Sequence, residues 1–262
     1  MKVTLITAND IRHNYLINLL AKNFEQIFVI QESFIDLDKK SQKVDTKENL
    51  VVDYFRKVSK AQRVIFGNEN FSTYSNNVEI LKIRSGKINN ISLIDFSKFL
   101  NSDVYIVFGS SYLKGDLIKF LIKNNAINIH MGISPFYRGS DCNFWALYDN
   151  NPHLVGATIH FISEGLDNGS ILYHALSNLK NDSFIYSMST VKSAFLSIVE
   201  RIKSKLIFEM KSVKQDKSKE IRYTKKLDFN KEVISEYFSK KIDLNKKKFD
   251  ETLFKDPFYL DQ

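Results

Sequence analysis

Two short β-branched runs, residues 2–7 (KVTLIT) and 26–31 (QIFVIQ), flank an amphipathic stretch at 11–23, and this opening constrains the fold more than any other feature of the chain. A tight turn reverses a strand, but a crossover long enough to hold a helix returns the chain to the end it left, so the two strands run parallel. The alternation then repeats: a helix at 50–66, a strand at 79–83, a helix at 92–100, a strand at 103–108, a helix at 115–123 and a strand at 125–130. The pattern predicts an α/β fold, a Rossmann-like, mostly parallel sheet flanked by helices. Residues 36–49 and 68–77 read as polar connections, the second carrying Phe71 and Tyr74, aromatics that stack on a base or simply fill the loop. No Gly-x-Gly-x-x-Gly follows the first strand, so the glycines a dinucleotide pyrophosphate needs are missing.

Open sheets of this kind take ligands beyond the carboxyl ends of their strands, and four such ends carry chemistry here. After the first strand stand Arg12 and His13, placed either to meet an anionic substrate or as surface residues. The 103–108 strand ends in Phe108-Gly109-Ser110-Ser111-Tyr112-Leu113, where a glycine followed by hydroxyls lets a ligand approach the main chain, or marks a plain strand-to-helix turn. Residues 125–130 (NAINIH) put Asn128 and His130 two apart, on one face of a strand. A carboxamide beside an imidazole suits acyl transfer, the amide N–H stabilising an oxyanion while the imidazole handles a proton; a buried, hydrogen-bonded histidine is the alternative. Gly132, Pro135 and Gly139 then bend the chain into a helix capped by Ser140 or Asp141. Residues 155–162 (VGATIHFI) alternate, with Thr158, His160 and Ile162 on one face, and the turn at 164–169 brings in Asp167 before a strand at 171–174. A helix over 182–210, capped by Asp182 or Ser183, carries Phe195, Ile198, Val199, Ile202 and Leu206 at helical spacing, a stripe for core or for a homodimer contact.

Composition sets outer limits. The 262 residues are 44% apolar and 26% charged, enough to bury a sizeable core, and no apolar run approaches a membrane span. The N-terminus lacks the apolar segment and cleavage site of a signal peptide, so the expected location is cytoplasmic and no membrane partner is expected. The single Cys142 has no partner for an internal disulfide and no neighbours at metal-ligand spacing; it sits where a helix starts to pack, which argues against a nucleophile. The net charge of +8 is concentrated at 211–231, where eight basic residues face Asp216, Glu220 and Asp228. Most are Lys without interleaved Arg and aromatics, so a solvated face is favoured over a nucleic-acid surface.

The longer pattern adds a resemblance. Asn128 and His130, then Ser134, Pro135, Tyr137, Arg138 and Gly139, then Trp145 and Ala146, then Gly156, Ala157, Thr158 and His160, then Asp167, Gly169 and Ile171 follow one another in the order found in the folate-dependent formyltransferases. That family includes the methionyl-tRNA, glycinamide-ribonucleotide and nucleotide-sugar enzymes, and the resemblance runs from about Met1 to Asp228, weakest between 36 and 101. Family members often carry Leu-Leu-Pro where this chain has Gly132-Ile133-Ser134-Pro135. The resemblance implies the formyltransferase fold, with a catalytic domain over 1–210 and a Lys-rich connection and small C-terminal extension over 211–262. It implies 10-formyltetrahydrofolate as formyl donor and no metal, with Asn128, His130 and Asp167 catalytic. It further implies that Phe108, Gly109, Ser110, Ser111, Tyr112 and Leu113 bind the folate and that His160 shares the ligand-facing side; Arg12 and His13, by their place after the first strand, and Arg138 and Gly139, within the motif, are the expected acceptor-binding residues. Only 52 residues follow Met210, fewer than the extra β-barrel of the tRNA-formylating relatives, and this favours a nucleotide-linked amino sugar of surface-polysaccharide (O-antigen, lipopolysaccharide) synthesis as acceptor. Methionyl-tRNA and glycinamide ribonucleotide are the alternatives. A non-catalytic RNA-binding relative is the rival from another class, and the filling of all three catalytic positions argues against it.

Overall fold

The computed structural model describes residues 1–33, 50–67, 75–244 and 250–260. The chain opens with β1 (Lys2–Thr7), α1 (Ile11–Ala21) and β2 (Gln26–Ser33), continues through α2 (Leu50–Phe66), β3 (Val78–Arg84), β4 (Val104–Phe108) and α3 (Gly115–Lys123), and reaches β5 (Ile127–His130). After β6 (Tyr137–Gly139) and α4 (Cys142–Tyr148) come β7 (Ala157–Phe161), β8 (Ile171–Ser177), α5 (Ser183–Lys203) and α6 (Leu206–Glu209), and then β9 (Arg222–Thr224), α7 (Lys231–Ser239) and β10 (Phe258–Leu260). Eight strands form one sheet in the order β10-β8-β7-β5-β4-β1-β2-β3, parallel from β3 through β5, with β7 antiparallel to both β5 and β8, and β10 parallel to β8. A separate parallel pair joins β6 to β9. This is the α/β, mostly parallel sheet that the alternating pattern predicts.

The central strands are buried on both faces because helices cover both. Leu16 and Leu20 of α1 with Phe195, Ile198 and Ile202 of α5 pack on one face, while Phe96 and Leu100 with Leu117 and Leu121 of α3 pack on the other. Each such side chain contributes about 1.5–3 kcal/mol on burial, which is why these elements hold despite modest helix propensity. Caps fix the helix starts: the Asp10 carboxylate accepts from Ile11 N, and that of Asp182 accepts from Phe184 N and Ile185 N. Among the described residues no helix is long and apolar enough to cross a membrane.

Three elements differ from the sequence reading. Residues 91–100 form turns rather than a helix: their backbone bonds mix spans of four (Phe96 N to Ser92 O, Leu100 N to Phe96 O) and three (Ser97 N to Ile94 O), and no continuous ladder builds. The helix expected over 182–210 stops at Lys203: Ser204 Oγ bonds back to Glu200 O at 2.9 Å, Lys205 takes a left-handed φ of 63°, and α6 restarts from there. The C-terminal extension, for which the sequence specifies no elements, supplies β9, α7 and the edge strand β10. The connection expected at 36–49, and Phe71 and Tyr74 in the second loop, lie outside the described residues. The Ser134–Pro135 peptide bond is cis.

Candidate functional site

β5 lies between β4 and β7, so its C-terminal residues stand at the carboxyl end of the parallel strands, the end where open sheets take ligands. Asn128 and His130 project there together, as period two requires, and β7 brings His160 opposite Asn128 in the antiparallel register. The turn between β7 and β8 supplies Asp167, whose left-handed φ of 47° is a conformation Asp tolerates better than most side chains. The result is a four-residue constellation. Asn128 Nδ2 lies 3.0 Å from His160 Nε2 and donates to Asp167 Oδ1 at 3.3 Å, while His130 Nδ1 lies 3.4 Å from Asp167 Oδ2.

The two nitrogens of His130 have different tasks. Nε2 sits 3.2 Å from the Tyr137 carbonyl and Nδ1 3.4 Å from the Asp167 carboxylate; both partners only accept, so the ring satisfies both only when each nitrogen carries a proton. A neutral ring carries one proton and so leaves one of the two acceptors unmatched. Burial pulls the His130 pKa below the ordinary imidazole value, with Asp167 as the chief opposing influence. For Asp167, burial pushes the carboxyl upward, but His130, His160 and the Gly139 N–H together hold it below the usual carboxylate range. The arrangement is an imidazole whose pKa burial lowers, set between two acceptors, one of them a carboxyl held below its usual range, so that one further proton completes both contacts.

A second ring of residues fixes the Asp167 turn. Arg138 of β6 donates from Nε to Asp167 O (3.2 Å), from Nη2 to Leu166 O (2.9 Å) and from Nη1 to Glu220 (2.8 Å), so its guanidinium is turned to the protein. Gln215, buried, donates to Asp167 O and Gly169 O at 2.9 and 2.8 Å. Nothing in the sequence marks Gln215, since a lone glutamine in a Lys-rich stretch looks like solvent-facing chain. Gly139, with φ of 94°, lies so close to the Thr224 backbone that a Cβ would strike it, which is why β9 can pair with β6 there. Cys142 is buried against Gly132 and donates to Gly139 O, and burial raises its thiol pKa well above the ordinary range, so it is no nucleophile at neutral pH.

The other residues singled out from sequence lie nearer β1 and β4. His13 is 3% exposed, its Nδ1 donating to Thr7 Oγ1 (2.7 Å), which in turn donates to the Phe108 carbonyl (2.8 Å), and its ring stacks against Phe108 at 4.7 Å. It pins β1 to β4 from inside, and only a glycine at 109 leaves room, since a Cβ there would come within 2.6 Å of the ring. Arg12 is partly covered, its Nε has no hydrogen-bond partner among the described residues, and Asp10, Asp141 and Tyr54 lie near enough to oppose the desolvation that lowers its pKa. Phe108 and Leu113 are buried, whereas Gly109 and Tyr112 are exposed along an extended segment with Ser110 and Ser111 between them. That segment is held by Glu32, which the sequence reading left out because it ended β2 at Gln31. Its buried carboxylate accepts from Ser111 N (2.5 Å) and Gly86 N (2.8 Å), tying two loops at the same end of the sheet.

Comparisons with known proteins bear on this site. A family model described as "Formyl transferase" matches residues 39–191. The methionyl-tRNA formyltransferase of Clostridioides difficile is 33% identical over 86 residues, a stretch covering 33% of this chain and 28% of that relative. Among solved structures, a 4-N formyltransferase from Francisella tularensis superposes with a TM-score of 0.53 at 19% identity, covering 87% of this chain and 77% of the other. The N-formyltransferase from Helicobacter canadensis, solved with folinic acid and dTDP-3-aminofucose, gives 0.52 at 16% identity over 90% and 79%. At these identities the structural likeness speaks for the fold.

Proposed function

The chain belongs to the formyl transferase family, and we propose that it moves a formyl group from 10-formyltetrahydrofolate to the amine of a nucleotide-linked amino sugar. The observation that carries the proposal is the convergence of Asn128 and His130 on the Asp167 carboxylate, 3.3 and 3.4 Å away, at the end of β5. Transfer of a formyl group needs a donor hydrogen bond for the carbonyl oxygen as it gains charge, a base for the proton the amine must lose, and something to steady the cation so formed. Asn128 supplies the first through its amide N–H. His130 supplies the second. Its neutral ring takes up one proton, and the imidazolium so formed meets Asp167 Oδ2, 3.4 Å from Nδ1, so the site gains an ion pair as the acceptor nitrogen is acylated. Atoms balance: the acceptor nitrogen gains the formyl carbon and loses one proton, and the donor nitrogen regains one.

The formyl donor supplies an activated one-carbon group, and the exposed Gly109–Tyr112 main chain, held open by Glu32, fits a flat heterocycle lying along it. Support for a sugar acceptor is the fold-level likeness to the Helicobacter canadensis enzyme, whose complex contains such a sugar. Methionyl-tRNA is the second reading, favoured by the 86-residue match to a tRNA-formylating relative. Incubating the protein with the formylated folate and each of three acceptor classes, amino-sugar nucleotides, glycinamide ribonucleotide and methionyl-tRNA, tests the assignment. Turnover with the sugars alone supports it; turnover with either of the others replaces it, and none with any acceptor removes formyl transfer.

A further inference from the structure

We propose that His160 is a positioning residue that sets which end of the Asn128 amide faces the reacting oxygen; this rests on the formyl-transfer reading. The ring of His160 is buried on β7 and its Nδ1 lies 2.8 Å from the carbonyl of Phe161. A carbonyl only accepts, so Nδ1 carries the proton and Nε2 is left as an acceptor. Nε2 lies 3.0 Å from the Asn128 amide. An acceptor there takes the amide's N–H and refuses its oxygen, and Asp167 Oδ1, 3.3 Å away and also an acceptor, makes the same demand. Two acceptors therefore select one of the two amide rotamers, which differ by a half-turn that costs little in an unconstrained side chain.

The selection matters for the chemistry because a carboxamide offers a donor or an acceptor according to that half-turn. With the nitrogen fixed, one N–H is committed to His160, and the other, on the longer bond to Asp167, is the one an oxygen gaining negative charge competes for. With the amide reversed, Asn128 would turn its oxygen toward both His160 Nε2 and Asp167, leaving three lone-pair acceptors together in a buried site. Gly169 is the feature that lets the lock exist: its Cα sits against the Phe161 carbonyl and the His160 ring, and any Cβ would strike that carbonyl. The Asp-x-Gly spacing of 167 and 169 therefore seats the carboxylate and the imidazole lock in one turn.

Two measurements test this. Nitrogen-15 NMR of histidine-labelled protein, with His160 assigned by the signals lost in His160→Gln, should show a neutral ring protonated on Nδ1; protonation on Nε2 overturns the proposal whether or not formyl transfer is observed. In the transfer assay, His160→Leu should lower kcat by about tenfold with KM for the formylated folate within about twofold, and His160→Gln, which returns an acceptor at the reach of Nε2, should recover most of it. Placed on Asn128→Ala, His160→Leu should cost less than about twofold more, because a residue that acts through Asn128 has nothing left to position. An undiminished loss in that background overturns the positioning role. Absence of transfer by the wild type, with the Nδ1 tautomer present, would instead count against formyl transfer and leave the amide lock standing.

Discussion

Two buried histidines, His130 on β5 and His174 on β8, show what a fold does to an imidazole. His130 places one nitrogen on a backbone carbonyl and the other on the Asp167 carboxylate, 3.4 Å away. His174 places Nε2 on the Ser134 carbonyl (3.0 Å) and accepts the Lys255 N–H on Nδ1 (2.8 Å), with backbone on both sides. Burial drives the pKa of His174 down to about 4, with the Ser134 carbonyl the one opposing influence. A proton arriving at His174 would evict the Lys255 amide, whereas a proton arriving at His130 finds a carboxylate. The first ring is a strut between the cis-proline loop and the C-terminal segment; the second is the base of the proposed reaction.

The sharpest way to break this comparison is to remove the groups at the chemical end. Asn128→Ala and His130→Ala should each slow formyl transfer by about a hundredfold or more while folate binding, followed by fluorescence, changes little. Either variant at wild-type rate would leave the constellation without a catalytic role. Asp167→Asn should come next, with a loss of about tenfold or more at an unchanged melting temperature, since the amide is nearly isosteric and Arg138 and Gln215 hold the turn through its backbone.

His174 should behave in the opposite sense. His174→Phe strands the Ser134 carbonyl and the Lys255 amide, a cost of about 3 kcal/mol in unfolding free energy by denaturant titration, while the rate per folded molecule falls far less. Its pH dependence has a definite sign. The unfolded imidazole titrates near 6.5 and the folded one at about 4, so stability is complete above pH 6.5 and declines as pH falls toward 4, by about 3 kcal/mol. Removing His174 should flatten that decline, and an unaltered acid profile would show that the ring does not carry it. The smallest effect is expected from neutralising Lys214, Lys217 and Lys219, which are exposed: turnover with small acceptors should be nearly unchanged, and a collapse would favour the tRNA reading.

These regions were also unequally legible in the sequence. Period two placed Asn128 and His130 on one face, and alternating strand and helix patterns gave the parallel sheet, because both follow from local burial. The turn that brings Asp167 to His130 came from the ordered motif rather than from local physics, since Asp-x-Gly turns are common. What escaped were partners fixed by long-range packing. Gln215 reaches back 48 residues to Asp167, Glu32 crosses 79 residues to Ser111, and β10 finds β8 from the chain's last described segment. None of these has a periodic or compositional signature, and the apolar spacing at 91–100 reads as a helix where the backbone forms mixed turns.

The central claim is that Asp167 and His130 act as one unit, with the carboxylate stabilising the protonated ring. Titrating His130 by NMR in the wild type and in Asp167→Asn tests it most directly. Burial should hold the wild-type value below the ordinary imidazole range, and removing the carboxylate, its largest upward influence, should lower it further in parallel with the loss of rate. A His130 pKa that stays put or rises in Asp167→Asn would contradict the account and leave Asp167 as a turn residue.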